Sequence, residues 1–172
     1  MQNVQVRIRR IPQGPPTPGD FELIECPPPA VGPGQVLVRT HWLSLDPYVR
    51  ALLSGRHFLR MPQGGEVLPA KAVAEVIESR NEVFNVGDRI VIETGLQKVA
   101  VSDAREAWRL HPAHQPESTA LGILGMPGMT AWFGLHDVAQ LREGETVLVS
   151  AASGAVGCMV GQIARLRGAR AI

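Results

Sequence analysis

One stretch near the end of the sequence, Glu145–Gly168, constrains the fold more than any other. It opens with the β-forming run Thr146–Val149, which predicts a buried parallel strand because strands covered on both faces are nearly continuous in such residues. A glycine-rich turn follows at Ala152–Gly157, and apolar residues then recur at helical spacing as far as Gly168, a residue type that commonly ends helices. The stretch therefore predicts a strand, a tight turn and a helix of an α/β domain.

The turn has the pattern of a dinucleotide-binding fingerprint, G-x-G-x-x-G, with Ala152 in the first glycine position. In such a turn Gly154 would let the backbone approach a pyrophosphate, and Gly157 would let the helix pack closely on the strand. The helix N-terminus would offer free N–H groups to the phosphates. An ordinary strand–helix turn has the same pattern, so the turn alone leaves both interpretations open. The residue that reads the ribose, expected roughly 20 residues further on, would lie past Ile172.

Composition narrows the classes of function. Hydrophobic residues make up 45% and charged residues 19% of the 172 residues, and the formal net charge is +1. This balance gives no electrostatic surface for nucleic acid, and no apolar window reaches the roughly 18 residues of a membrane span. We therefore expect neither a nucleic-acid nor a membrane partner. The N-terminus lacks the apolar core of a signal peptide, and Cys26 and Cys158 are isolated cysteines, so we expect a reducing, cytoplasmic location.

The sequence before this stretch predicts an all-β, barrel-like domain up to about residue 115, because short strand-like segments alternate with Pro and Gly. The predicted strands are Val4–Arg9, Phe21–Ile24, Val36–Leu45, Val73–Ile77, Arg89–Glu93, Leu96–Val101 and Trp108–Leu110. A short helix is predicted over Asp46–Arg56, with Asp46 as its N-cap and Pro47 as its first residue. The period then changes, and Pro116–Leu124 and Met129–Leu141 are predicted to be helices.

This order of elements predicts a β domain followed by the opening of a doubly wound α/β domain. A complete domain of the second kind needs several more strand–helix units. We therefore expect the sequence to be part of a longer chain.

Four segments carry a family resemblance: Ser44–Arg50 (SLDPYVR), Val86–Arg89 (VGDR), Gly125–Leu135 (GMPGMTAWFGL) and Ala151–Gly168. They resemble the medium-chain dehydrogenase/reductase superfamily, and within it the zinc-free NADP-dependent alkenal (enone) reductases, which include the prostaglandin reductases. The resemblance implies a GroES-like substrate domain over residues 1–115 and the incomplete start of an NADP-binding Rossmann domain over residues 116–172. It also implies that NADPH reduces the C=C bond of α,β-unsaturated ketones or aldehydes. We expect the full-length protein to be a homodimer.

The resemblance also implies roles for individual residues. Those expected to bind the cofactor are Gly154, Ala155, Val156 and Gly157 at the pyrophosphate, with Met126 and Thr130 at the nicotinamide. Tyr48 would line the substrate pocket. The family's enolate-stabilising tyrosine would come from beyond this sequence, so no catalytic residue is assigned and the fragment alone should lack full activity. The sequence departs from the family at Val67–Ala74, where relatives often carry glycine, and this leaves the substrate preference open.

Two further functions fit the same sequence. One is a quinone reductase on the same fold, and the other is a non-catalytic fragment that serves as a binding or assembly domain. No metal site is expected, because the sequence lacks the cysteine and Gly-His-Glu ligands of the zinc-dependent relatives, and His111 and His114 have no third ligand nearby.

Other conspicuous residues have structural interpretations. We expect Cys158 to be a packed residue and His57 to have a structural role in its loop. The three tryptophans are expected in the core, and they are Trp42, Trp108 and Trp132.

Overall fold

The computed structural model describes residues 1–172, which form two compact units, Met1–Pro112 and Ala113–Ile172. None of the helices combines the length and the apolar character that crossing a bilayer requires.

The first unit is an antiparallel β structure with one short α-helix. Its strands are β1 (Asn3–Ile8), β2 (Phe21–Cys26), β3 (Val36–Leu43), β4 (Lys71–Ser79), β5 (Arg89–Glu93), β6 (Val99–Ser102) and β7 (Trp108–Arg109). Five of them form one sheet in the order β6-β3-β4-β5-β7, and β1 pairs with β2 in a smaller sheet. Isolated bridges join Gln5 to Gln97 and Arg7 to Val67, so the small sheet is tied to the rest of the unit. The predicted GroES-like β-barrel domain is confirmed.

The buried residues of this unit form more than one hydrophobic cluster, and the first of them lies on the five-stranded sheet. Its buried members are Val36, Val38, Ala74, Val76, Phe84, Ile90, Ile92, Ala100 and Ala104. The pairing of β3 with β4 shifts register between Leu37 and Val38 and again between Thr40 and Trp42. Such bulges bend a strand and increase its twist, which lets the sheet curl around its core.

The short helix, α1 (Tyr48–Leu53), begins one residue later than the sequence predicts. Its N-cap is Pro47, in helical conformation and without a side-chain capping bond, so the assignment of the cap to Asp46 is wrong. The reason is that the first turn closes on backbone carbonyls rather than on a side chain. The backbone carbonyl oxygen of Asp46, not its carboxylate, accepts the Val49 N–H at 3.1 Å.

The three tryptophans are not core residues, contrary to the expectation. Trp42, Trp108 and Trp132 are 49%, 38% and 47% exposed. Trp42 lies on the part of β3 that extends beyond its pairing with β6, and Trp108 lies on the edge strand β7. An edge position covers a large ring on one side only, so these rings remain half in solvent.

The second unit begins with helices and ends with a strand–turn–helix–strand. Its elements are a 3-10 helix (Glu117–Leu121), α2 (Met126–Phe133), a π-helix (Gly134–Val138), β8 (Thr146–Val147), α3 (Gly157–Leu166) and β9 (Arg170–Ala171). Strands β8 and β9 are parallel. The predicted start of a Rossmann-type domain is confirmed.

Both helices predicted between residues 116 and 141 differ in detail from those in the structure. The first is a 3-10 helix rather than an α-helix, and the second starts at Met126, three residues early, because Pro127 suits the first turn of a helix. The second helix also changes to π geometry at Gly134.

Helix α3 ends at Leu166 with Arg167 as its C-cap, and Gly168 follows in the left-handed conformation that terminates helices, close to where the sequence predicts the cap. Gly168 has φ +71°, its N–H donates to the Arg165 carbonyl at 3.1 Å, and the Ala169 N–H donates to the Ala164 carbonyl at 2.9 Å. These two bonds form a Schellman motif, which satisfies carbonyls that would otherwise be unpaired at the helix end.

A buried carboxylate anchors the proline-rich loop of the first unit. Arg10 Nε donates to Asp20 Oδ1 at 2.6 Å, and the N–H and O–H groups of Thr17 donate to Oδ2 at 2.7 and 2.8 Å. These hydrogen bonds lower the pKa of Asp20 to about 2. The bond from Arg10 is the largest cause, followed by those from Thr17.

We expect Asp20→Asn to lower the melting temperature at neutral pH. A carboxylate whose folded pKa is depressed stabilises the fold above its unfolded pKa, near 3.9, and loses that effect as the pH falls through the folded value. The deficit of the variant should therefore shrink as the pH is taken from about 4 to about 2. Circular dichroism melts of Asp20→Asn and of the exposed Glu82→Gln measure this, and an Asp20→Asn deficit that does not change with pH would contradict it.

Candidate functional site

The predicted cofactor residues of the glycine turn lie between β8 and α3. Hydrogen bonding to the neighbouring strand continues past β8, since the Val149 N–H donates to the Ile172 carbonyl at 2.8 Å. The backbone then makes successive turns over residues 151–156, and the helix begins at Gly157. The turn thus follows the carboxyl end of a parallel strand, which is where nucleotides bind in α/β sheets.

Gly157 is buried at the closest approach of the helix to the turn. A Cβ built on this residue would overlap the Ala151 carbonyl oxygen and would lie 2.8 Å from the Ala151 carbonyl carbon and 3.0 Å from Ala152 Cα. These neighbours are backbone atoms, which cannot rotate aside as a flexible side chain could. The position therefore requires glycine.

The outer side of the turn is open. Gly154 and Ala155 are exposed, and a Cβ on Gly154 would meet only the Ala151 carbonyl oxygen, at 3.2 Å. The backbone N–H groups of Ala155 and Val156 make no hydrogen bond within the chain. Unpaired N–H groups at a helix N-terminus are donors for anions, so the chemistry of this turn fits a pyrophosphate.

Met126 and Thr130 lie one turn apart on α2, in the same unit as the glycine turn. Met126 is half exposed, and Thr130 is exposed with its hydroxyl donating to the Met126 carbonyl at 2.7 Å. Because that bond uses the hydroxyl proton, Thr130 Oγ1 is left as a hydrogen-bond acceptor.

The start of α2 is held by a second close backbone approach. A Cβ on Gly128 would overlap the Ile123 carbonyl oxygen and lie 2.5 Å from its carbon, and the Gly128 N–H donates to the Gly122 carbonyl at 3.2 Å. The position of Met126 and Thr130 therefore depends on glycine at residue 128.

Tyr48, the predicted substrate residue, is the first residue of α1 in the other unit and is half-buried. Burial is the largest cause that raises the pKa of Tyr48 to about 12, followed by the negative charges of Glu93 and Asp46. The phenol is therefore a neutral hydrogen-bond donor over the whole physiological pH range.

Glu93 is a residue that the sequence reasoning missed. It ends β5, where its partner across the strands is Lys71 on β4. Burial raises the pKa of Glu93, and this outweighs the lowering by Lys71 and by the Ala70 N–H. Lys71 belongs to the segment that departs from the family pattern, and it places a positive charge opposite Glu93. Only the strand register reveals this pairing.

Metal ligands are not grouped in this structure. No set of three or more His, Cys, Asp or Glu side chains is arranged to hold a metal ion. That the protein carries no zinc stays a prediction: we expect elemental analysis of the purified protein to give far less than one zinc per chain, and a stoichiometric amount would contradict it.

Comparison with known proteins identifies relatives over nearly the whole chain. The family model described as the N-terminal domain of oxidoreductase matches residues 4–110. The NADPH-dependent curcumin reductase of Escherichia coli (strain K12) is 41% identical over 162 residues, covering 94% of this chain and 47% of that protein. Prostaglandin reductase 1 of Sus scrofa is also 41% identical over 162 residues, covering 92% and 47%.

A solved structure is also similar over nearly the whole chain. The crystal structure of CurA in complex with NADPH from Vibrio vulnificus matches with a TM-score of 0.88 at 40% identity, covering 98% of this chain and 50% of that one. The chain thus spans about half the length of the relatives it matches.

Proposed function

The chain belongs to the medium-chain dehydrogenase/reductase superfamily and, within it, to the alkenal and enone reductases; from this membership we propose that the full-length protein uses NADPH to reduce the C=C bond of α,β-unsaturated ketones and aldehydes. The observation that carries the proposal is the glycine turn. It combines a glycine that no other residue can replace with an open side that presents unpaired N–H groups. In this proposal residues 1–115 are the substrate domain and residues 116–172 begin the cofactor domain.

We assign the cofactor contacts to the second unit. Gly154, Ala155, Val156 and Gly157 would hold the pyrophosphate, while Met126 and Thr130 would lie against the nicotinamide. When bound, NADPH supplies the hydride that the β-carbon of the substrate receives. Thr130 would accept a hydrogen bond from an amide N–H of the cofactor, because its own proton is committed to the Met126 carbonyl.

We assign substrate binding to Tyr48. Its hydroxyl would donate a hydrogen bond to a substrate oxygen, and the raised pKa keeps that proton in place. Removing the hydroxyl with Tyr48→Phe should raise KM for an enone about threefold to tenfold with little change in kcat, the effect of one lost hydrogen bond. Steady-state kinetics from neutral pH to about pH 10 test this. An unchanged KM, or a wild-type rate that falls with a pKa near 10 that is absent in the variant, would contradict it.

We further propose that the full-length protein is a cytoplasmic homodimer. The two cysteines are unpaired thiols, which suits a reducing compartment. Light scattering of the full-length protein measures the oligomeric state, and fractionation of cells measures the location.

A measurement of NADPH oxidation with enones and with quinones as acceptors tests the enzymatic proposal. We expect the full-length protein to oxidise NADPH with simple enones and to do so more slowly with quinones. Turnover with quinones alone would assign a quinone reductase instead. NADPH binding without turnover of either acceptor would support the non-catalytic alternative.

A further inference from the structure

Lys71, the first residue of β4, carries a positive charge beside the segment that holds the candidate substrate residue. We propose that its ammonium group binds the carbonyl oxygen of the substrate together with Tyr48 and stabilises the negative charge that this oxygen gains during reduction. The inference rests on the proposed function and adds to it a catalytic residue in the first unit.

Hydrogen bonds place Lys71 between the segment that leads into α1 and the end of β5. On one side the Ser44 N–H donates to the Lys71 carbonyl at 2.8 Å, which continues the pairing of β3 with β4 past the end of β3. The chain reaches Tyr48 only four residues after Ser44. On the other side Lys71 is the cross-strand partner of Glu93. Lys71 therefore lies between the two segments that carry Tyr48 and Glu93.

The charges of these side chains act on one another. Burial raises the pKa of Glu93, and the positive charge of Lys71 opposes this rise. The negative charge of Glu93 in turn adds to the effect of burial on the pKa of Tyr48. Charges are largely screened from one another beyond roughly 10 Å, so the three side chains lie within reach of one ligand. The Lys71 ammonium makes no ion pair or hydrogen bond within the chain, which leaves it available to that ligand.

Reduction of an enone creates the charge that Lys71 would bind. When a hydride forms a bond to the β-carbon, the electron pair of the C=C bond forms a new double bond from the α-carbon to the carbonyl carbon. The carbonyl electron pair then moves onto oxygen, and the resulting enolate later takes a proton from solvent at its α-carbon. A hydrogen bond from a cation strengthens as its acceptor becomes negative, so Lys71 would lower the barrier more than it improves substrate binding.

The surroundings make a cation necessary at this point. Asp46 and Glu93 are negatively charged groups that act on Tyr48, and both would oppose an enolate held by the phenol alone. Lys71 offsets them from the neighbouring strand.

The first test measures kcat of the full-length protein with benzylideneacetone and NADPH. We expect Lys71→Met to lower kcat about 10-fold to 50-fold with a smaller change in KM, the effect of one lost hydrogen bond to a charged oxygen. Lys71→Arg should restore most of the loss. Lys98→Met is the matched control, because Lys98 is the only other lysine in the sequence and its N–H pairs with Val4 on β1. An unchanged kcat in Lys71→Met, or an equal loss in Lys98→Met, would overturn the proposal.

A binding measurement without turnover uses 4-nitrophenol, whose coloured anion carries negative charge on oxygen as an enolate does. We expect the affinity for this anion to fall about 10-fold in Lys71→Met and to rise about twofold in Glu93→Gln, which removes an opposing charge. Benzylideneacetone should displace the anion. Structural damage would lower the affinity in both variants, so the opposite signs identify an effect of charge. If Lys71→Met does not fold, a rise in Glu93→Gln supports the proposal, and a fall or no change overturns it.

The two measurements separate this proposal from the reductase assignment. If enones are not reduced but the affinity for the anion changes with opposite signs, Lys71 binds an oxyanion and the reductase assignment fails. If enones are reduced and the affinity is the same in all variants, the role of Lys71 fails and the reductase assignment stands.

Discussion

Gly157→Val will lower the affinity of the full-length protein for NADPH by about 100-fold or more, the largest effect on binding that we expect from a single substitution. The built Cβ overlaps the Ala151 carbonyl oxygen, and the added methyl groups of valine enlarge the clash with this backbone. The turn can accommodate valine only by moving the start of α3 away, which also moves the N–H groups that would face the pyrophosphate.

The matched control for this variant is Gly161→Ala, in the same helix. A Cβ at residue 161 has no neighbour within 4 Å, and alanine favours the helix over glycine by up to about 1 kcal/mol. Its affinity for NADPH should equal that of the wild type. Fluorescence titration measures the NADPH affinity of both variants. Near-native affinity in folded Gly157→Val would contradict the assignment of the turn to pyrophosphate binding.

Gly128→Ala will destabilise the second unit by about 3 kcal/mol and will weaken NADPH binding as well. Its single added carbon overlaps the Ile123 carbonyl oxygen and comes within 2.5 Å of the attached carbon, so the start of α2 must shift. That start carries Met126 and Thr130, and for this reason affinity and stability should fall together.

Gly134→Ala provides the comparison, because it adds the same atom where nothing lies within 4 Å and where the backbone is already helical. Chemical denaturation should show it as stable as the wild type or slightly more stable. If Gly128→Ala and Gly134→Ala unfold at the same denaturant concentration, the close packing at Gly128 has no energetic consequence and this part of the account is wrong.

The sequence contained most of the fold because the relevant signals are local. Period-two alternation located the strands of the first unit, and the glycine turn followed by a helical period located β8 and α3. The end of α3 is also local, since Gly168 and Ala169 each donate one hydrogen bond to the preceding turn.

What the sequence did not reveal depends on contacts between distant segments or on geometry that no side-chain type specifies. The opposition of Lys71 and Glu93 comes from the register of β4 against β5. The sequence predicts Asp46 as the cap of α1, but the cap is Pro47 and no side chain makes a capping bond there. The contact of His57 with Tyr48 comes from the fold-back of the loop after α1, which no local pattern predicts.

The roles of the candidate site residues rest on different kinds of support. Glycine is needed at residue 157 because a Cβ there would overlap the backbone of Ala151. Tyr48 is a hydrogen-bond donor because burial and nearby negative charges raise its pKa. Met126 and Thr130 are exposed on α2 and joined by a hydrogen bond, and their contacts with a nicotinamide stay a prediction.

The most direct test of the central claim follows the hydride. The full-length protein is incubated with benzylideneacetone and NADPH that carries deuterium at both positions of nicotinamide C4, and the product is analysed by NMR and mass spectrometry. The account predicts the saturated ketone with one deuterium on the former β-carbon. An allylic alcohol with deuterium on the former carbonyl carbon, or no transfer of deuterium by folded, NADPH-bound protein, would contradict it.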